Sequence, residues 1–81
     1  MSLRSTIISQ FEAVASEQNR PLPPLTDDLH LADSGLDSLS FAIIVVRLEE
    51  ALGFDPFSAA EAVEFPTRFA DFVAVYEKFG G

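Results

Sequence analysis

The residues best placed to do chemistry lie in one short segment, Asp33 to Leu39, with a serine at position 38. Asp37 is a favourable N-cap residue, because its carboxylate can accept the free backbone N–H groups of a first helical turn. This arrangement would place the Ser38 hydroxyl at the positive end of a helix dipole. Gly35 lets the preceding turn adopt a positive φ without steric cost. A serine presented at such a corner, beside free N–H groups, is suited to holding a phosphoester.

Together with a second motif downstream, this segment resembles the acyl carrier proteins. Gly35-Leu36-Asp37-Ser38-Leu39 precedes Leu48-Glu49-Glu50, which lies ten residues on, and the similarity extends from about Leu29 to Phe79. In that family the serine of an Asp-Ser-Leu motif carries 4′-phosphopantetheine, whose thiol holds the cargo as a thioester. The resemblance implies that Ser38 is the attachment site and that coenzyme A supplies the arm. The cofactor-binding residues implied around it are Gly35, Asp37 and Leu39.

The resemblance implies a carrier and not an enzyme, since a separate phosphopantetheinyl transferase attaches the arm. An acyl- or aminoacyl-loading ligase and downstream transferases are the other implied partners. The best interpretation is a free-standing acyl carrier in a specialised fatty-acid or secondary-metabolite pathway. Two alternatives stay open: a free-standing aminoacyl or peptidyl carrier with the same arm, and a small protein-interaction bundle with no prosthetic group. Peptidyl carriers usually lack an acid before the serine, so Asp37 favours acyl cargo.

The helix that follows Ser38 departs from the family pattern on its outward face. The residue after Asp-Ser-Leu is commonly acidic but is Ser40 here, and Ile43 stands where many members carry glutamate. Arg47 also adds a positive charge to this helix. We therefore expect partners different from those of a general fatty-acid-synthesis carrier. The expected partner-binding residues are Leu39, Ala42, Ile43, Val46, Glu49 and Glu50.

A serine hydrolase and a calcium site are the rival interpretations of this acidic, serine-containing segment. His30 lies close to Ser38 in sequence, but the string Leu36-Asp37-Ser38-Leu39-Ser40 lacks the G-x-S-x-G nucleophile elbow. An EF-hand loop begun at Asp27 would place leucine at its third and fifth positions, where oxygen ligands are required. We therefore expect neither catalytic nor metal-binding residues.

Composition limits the class of protein. The 81 residues suit a single small domain, 1–81, and an apolar fraction of 48% is ample for a packed core. The formal charge of −8 argues against binding to nucleic acid or to an anionic membrane. Without cysteine, any reactive thiol must come from a cofactor. The longest wholly apolar run, Phe41 to Val46, is far too short to cross a membrane, and we expect a cytoplasmic monomer.

Hydrophobic periodicity predicts an all-α, four-helix bundle with three main helices and one short helix. The first helix is predicted from about Leu3 to Glu17, capped by Ser2 or Ser5. A long loop follows, in which residues 26–29 are expected to make one turn. The second helix is predicted from about Ser38 to Leu52 and closes at Gly53, a favourable residue at a helix C-terminus.

The last third of the chain is predicted to hold the short helix and the final one. The capping-box pattern from Ser58 to Glu61 predicts a short helix over about Ala59 to Val63, limited by Pro56 and Pro66. Thr67 is expected to cap the last helix. Its apolar stripe consists of Phe69, Phe72, Val73, Tyr76 and Phe79, and Gly80-Gly81 ends it.

The eight phenylalanines of the chain bear on the size of its cargo. Phe11, Phe41, Phe69 and Phe72 all fall on predicted core stripes. Because aromatic rings fill a core in few orientations, opening space among them is costly. We therefore expect a short, polar or amino-acid cargo rather than a long fatty acid.

Overall fold

The computed structural model describes residues 2–59 and 66–80, and the side chains within them except those of residues 58, 59, 79 and 80. These residues are all-helical, which confirms the predicted class. The helices are α1 (Leu3–Glu17), α2 (Ser38–Leu52), the short α3 (Pro56–Ala59) and α4 (Phe69–Gly80). Helix α1 packs against α2 and α4, and α3 packs against α4. Among the described residues, no helix has the length and apolarity that a membrane span needs.

Helices α1 and α2 have the predicted bounds, and their caps explain them. Ser2, not Ser5, caps α1, since its side chain accepts a hydrogen bond from the Ser5 backbone N–H at 3.1 Å. At the C-terminal end of α2, Gly53 adopts a φ of 85°, and its N–H donates to the Glu49 carbonyl at 2.7 Å. A residue with a side chain would be strained there, so the glycine ends the helix as expected.

The short helix begins earlier than predicted. Helix α3 starts at Pro56, where proline loses no helical hydrogen bond because the first N–H groups of a helix have no partner within it. Asp55 precedes it, and its carboxylate accepts a hydrogen bond from the Phe57 N–H at 2.9 Å. Ser58 is therefore inside the helix and does not begin it. The rest of the predicted element, residues 60–63, lies outside the described residues.

Helix α4 begins two residues after Thr67, which is therefore not its N-cap. The loop between α1 and α2 supplies the acceptors instead: Phe69 N–H donates to the Leu29 carbonyl at 2.9 Å, and Ala70 N–H to the Asp27 carbonyl at 3.3 Å. The Thr67 carbonyl accepts from Leu31 N–H at 2.8 Å. These tertiary bonds satisfy the helix terminus, so no side-chain cap is required. The helix extends to Gly80, while the Phe79 side chain and Gly81 lie outside what is described.

The core is centred on Phe11 of α1. Its ring meets those of Phe41, Phe69 and Phe72 edge to face, with centroids 6.1, 5.4 and 5.2 Å away. All four residues are buried, as predicted from their spacing. Edge-to-face contacts add to the stabilisation that burial of each ring provides.

The long loop is held by its backbone and by one arginine. It contains a turn, closed by Leu29 N–H bonding the Thr26 carbonyl at 3.1 Å, and an unpredicted 3-10 helix, Leu31–Asp33. Within the described residues the only β-type pairing is an isolated bridge between His30 and Arg68. Arg4 pairs with Asp27 and lies over the Phe69 ring. The loop thus crosses the start of α4 before it reaches Asp37.

Candidate functional site

Asp37 and Ser38 form the corner where the loop becomes α2. Asp37 has an extended backbone, and its Oδ1 accepts a hydrogen bond from the Ser40 N–H at 2.8 Å. Ser38 is the first residue of the helix and is exposed. Gly35 has a φ of 84°. A Cβ at Gly35 would come no closer than 3.8 Å to another atom, so backbone conformation rather than space requires glycine. The predicted geometry of this corner is confirmed.

Beneath the corner, Ser40 is fully buried and its hydroxyl links α2 to the end of α1. The hydroxyl oxygen lies 2.8 Å from Asp37 Oδ1 and 2.5 Å from the Gln18 side-chain amide. A hydroxyl has one proton, so it can donate to only one of these groups. The two acceptors, Asp37 Oδ1 and Gln18 Oε1, therefore compete for that proton. The bonds fix the position of Asp37 relative to α1.

Arg20 approaches the same corner from the loop. Its guanidinium donates to the Gly35 carbonyl at 2.8 Å and to Asp37 Oδ2 at 3.4 Å. The pKa of Asp37 is lowered, first by the Ser40 backbone N–H, then by the Ser40 hydroxyl, with a smaller contribution from Arg20. The carboxylate is therefore held ionised beside Ser38.

An apolar groove opens beside Ser38, with a volume of about 990 Å³. We call it the Ser38 groove. The residues that line it include Leu36, Ser38, Phe41, Val45, Phe57 and Pro66. An acyl chain attached near Ser38 would find hydrophobic surface here without entering the core around Phe11.

The predicted outward face of α2 is exposed in part. Leu39 and Val46 are 67% and 54% exposed, and Ala42, Glu49 and Glu50 are also exposed. Ile43 differs from the prediction, because it is half-buried and packs against the core cluster. Arg47 forms an ion pair with Glu17 of α1, with an N–O distance of 2.5 Å. The positive charge that Arg47 adds is thus largely neutralised.

The rival chemistries find no support in the described part of the chain. His30 is exposed and its backbone pairs with Arg68, and no hydrogen bond joins it to Ser38 among these residues. Nor do the described residues contain a group of three or more His, Cys, Asp or Glu side chains arranged to hold a metal.

Three residues of the corner, Gln18, Arg20 and Ser40, were not predicted to act together. Only Ser40 had a local signal: it lies three residues after an N-cap aspartate, at a position whose backbone N–H the N-cap carboxylate accepts. Gln18 and Arg20 belong to another element, and no spacing rule relates them to Asp37. Their contribution depends on how α1 and α2 pack.

Comparison with known proteins decides the family. A family model described as the phosphopantetheine attachment site matches residues 11–67. The chain belongs to the phosphopantetheine-binding carrier family. Members of this family are non-catalytic carriers and hold 4′-phosphopantetheine covalently. The site fits that group, since Ser38 is exposed and borders an open apolar groove.

The curated relatives are much larger proteins, of which this chain matches a small part. The chain is 34% identical, over 83 aligned positions, to the non-reducing polyketide synthase CTB1 of Cercospora nicotianae, and equally to that of Cercospora beticola. The alignment covers 91% of this carrier chain but only 4% of each synthase. No solved structure matches significantly.

Proposed function

We propose that this carrier bears its 4′-phosphopantetheine arm on Ser38 and moves acyl cargo between enzymes as a thioester. The observation that carries the proposal is the exposed Ser38 hydroxyl at the first position of α2, beside the ionised Asp37 and within the matched region. Gly35 and Leu39 complete the segment that the transferase would contact. In this reaction the Ser38 oxygen attacks the pantetheine-bearing phosphate of coenzyme A. Adenosine 3′,5′-bisphosphate leaves, and the hydroxyl proton passes to the transferase.

The cargo proposed is an acyl chain of the polyketide type, in secondary metabolism. Support comes from the relative, whose name is that of a non-reducing polyketide synthase. Asp37 before the serine agrees with acyl rather than aminoacyl cargo. The aminoacyl or peptidyl carrier is the second candidate, and loading with aminoacyl- and acyl-coenzyme A in parallel separates the two. The interaction bundle without a prosthetic group has lost its support, because family members carry the arm.

The partner surface proposed is the outward face of α2. Its exposed apolar members are Leu39, Ala42 and Val46, with Ile43 at its half-buried edge. Glu49 and Glu50 supply negative charge at one end. A phosphopantetheinyl transferase, a loading enzyme and downstream transferases would dock here.

A free-standing, monomeric, cytoplasmic protein stays a prediction. It is checked by detecting the native polypeptide in fractionated cell extract. A free-standing carrier would migrate near 8.8 kDa in the cytosolic fraction. Detection only as part of a far longer polypeptide would contradict the prediction and would leave the role of Ser38 unaffected.

The attachment site is tested by intact mass after incubation with coenzyme A and a broad-specificity phosphopantetheinyl transferase. We expect one phosphopantetheine unit on the wild type and none on Ser38→Ala. Ser9→Ala is a matched control, since Ser9 is an exposed serine on α1 and should not affect the addition. Unmodified wild type with several transferases would overturn the proposal, as would modification at another residue.

A further inference from the structure

We propose that Arg20 is a positioning residue for the modification of Ser38, because its guanidinium holds the turn and the N-cap that precede this serine. This inference rests on the proposed role of Ser38. The carbonyl of Gly35 and the carboxylate of Asp37 lie on either side of Leu36, and Arg20 donates to both. One side chain therefore fixes the two residues that determine where α2 begins.

Arg20 reaches the corner because of how α1 ends. Asn19 adopts a φ of 54°, in the left-handed region that asparagine tolerates better than most residues. Its N–H donates to the Ser16 carbonyl at 3.1 Å, and the Arg20 N–H donates to the Ala15 carbonyl at 2.9 Å. These two bonds form a Schellman motif, which closes the helix and turns the chain sharply. The turn directs Arg20 back toward the start of α2.

Two helix termini are thus joined at the corner. Gln18, the C-cap of α1, lies 2.5 Å from the Ser40 hydroxyl, and Arg20, two residues later, contacts Asp37 from the other side. Asp37 accepts from Ser40 through one carboxylate oxygen and from Arg20 through the other. Its orientation is consequently set by residues of both elements. Ser38 follows it directly, so the same contacts hold the backbone from which the Ser38 side chain extends.

Arg20 contributes position rather than stability. The side chains of Arg20 and Asp37 are 43% and 53% exposed. Exposed ion pairs of this kind add little to the folding free energy, because water screens them and ordering the side chains costs entropy. The planar guanidinium has a fixed fork of donors, however, and can hold a carbonyl and a carboxylate in one relative orientation. Small errors in the placement of a reacting group have large effects on rate.

The test compares Arg20→Ala, Arg20→Lys and Arg4→Ala in steady-state phosphopantetheinylation of the full chain. Arg4 is the matched control, since it also tethers the loop to a carboxylate, that of Asp27, but away from Ser38. We expect Arg20→Ala to lower kcat about tenfold while KM changes little, because binding is kept and the hydroxyl is misdirected. Arg20→Lys should recover part of this loss, and Arg4→Ala should match the wild type.

A second readout separates positioning from general loosening. The Ser40 amide resonance reports its hydrogen bond to Asp37, so Arg20→Ala should shift it while circular dichroism stays unchanged. The pKa of Asp37 should also rise in Arg20→Ala. The rise should be small, because the Ser40 hydrogen bonds that chiefly lower this pKa persist. If the wild type is modified and Arg20→Ala has the same kcat, the role of Arg20 is overturned while the role of Ser38 stands. Equal losses in Arg4→Ala would do the same, whereas an unmodified wild type would overturn the proposed function.

Discussion

The Ser40 backbone N–H and side-chain hydroxyl both lie 2.8 Å from the same oxygen of Asp37, Oδ1. Ser40 is fully buried, so this pair of bonds is shielded from water on one side although Asp37 is exposed. The arrangement explains why a serine can stand where other carriers commonly have an acidic residue. A carboxylate there would be buried against the Asp37 carboxylate, and burying an additional charge is costly.

The first prediction follows for Ser40. Ser40→Ala should destabilise the fold by about 1–2 kcal/mol, since Gln18 and Asp37 lose a partner at a buried site. Ser40→Glu should destabilise it further, although it restores the commoner residue of the family. Urea denaturation of the two variants measures this. A Ser40→Glu variant as stable as the wild type would show that this position opens to solvent.

The second prediction concerns pH. The folded-state pKa of Asp37 is lowered, chiefly by Ser40. A lowered pKa stabilises the fold fully above the pKa of aspartate in the unfolded chain, and this stabilisation is lost as pH falls through the folded value. The free energy of unfolding of the wild type should exceed that of Asp37→Asn by a constant amount near neutral pH. This excess should shrink below about pH 4.

Urea midpoints measured from neutral to acidic pH check this dependence. The matched comparison repeats the Asp37→Asn change in a Ser40→Ala background, where the backbone N–H that chiefly lowers the pKa of Asp37 remains but the Ser40 hydroxyl, the second cause, is removed. The narrowing should then be smaller and be complete at a higher pH, because the folded-state pKa of Asp37 lies closer to its unfolded value. A difference that widens on acidification would contradict the sign of the shift.

The helices and the corner were predictable from sequence because their signals are local. Asp37, Gly53 and the periodicity of α1 and α2 act within a few residues, and those elements have the predicted bounds. The predicted start of α3 and the predicted cap of α4 were wrong, for different reasons. At α3, Pro56 was taken as a limit although it is a favourable first helical residue. At α4, loop carbonyls distant in sequence replace the Thr67 cap, and no local pattern contains that information.

The third prediction corrects the expected docking face. Ile43 packs partly against the core, whereas Leu39 is 67% exposed. Leu39→Glu should therefore change stability by no more than about 0.5 kcal/mol, and Ile43→Glu should cost more than that, because it removes buried apolar area. Both should lower kcat/KM with the native loading enzyme.

Thermal melts and loading kinetics on the same preparations test the docking face. Ser9→Glu, which adds the same negative charge at an exposed position of α1, serves as the control for altered surface charge. If Leu39→Glu and Val46→Glu load as fast as the control, the outward face of α2 is not the docking surface. If Ile43→Glu is as stable as Leu39→Glu, the half-buried position of Ile43 is wrong.

The last prediction concerns cargo length. The core around Phe11 is filled by aromatic rings as close as 5.2 Å, so a chain cannot enter it without displacing them. The Ser38 groove offers apolar surface outside that core. One of the residues that line it, Phe57, also packs against Phe72 and Tyr76, with ring centroids 5.8 and 5.9 Å apart, and so limits the depth of the groove. We expect a short acyl chain to occupy the groove, and polar cargo and the ends of longer chains to stay largely in solvent.

Amide chemical shifts and melting temperatures of acetyl-, octanoyl- and palmitoyl-loaded protein measure this. Octanoyl loading should shift the amides of Val45 and Phe57, with little change at Phe11 and no rise in melting temperature from octanoyl to palmitoyl. Phe57→Ala should enlarge the groove and let the palmitoyl chain raise the melting temperature, whereas Leu39→Ala, on the other face, should not. Large shifts at Phe11 with a higher melting temperature for wild-type palmitoyl protein would show that the core itself opens to the chain.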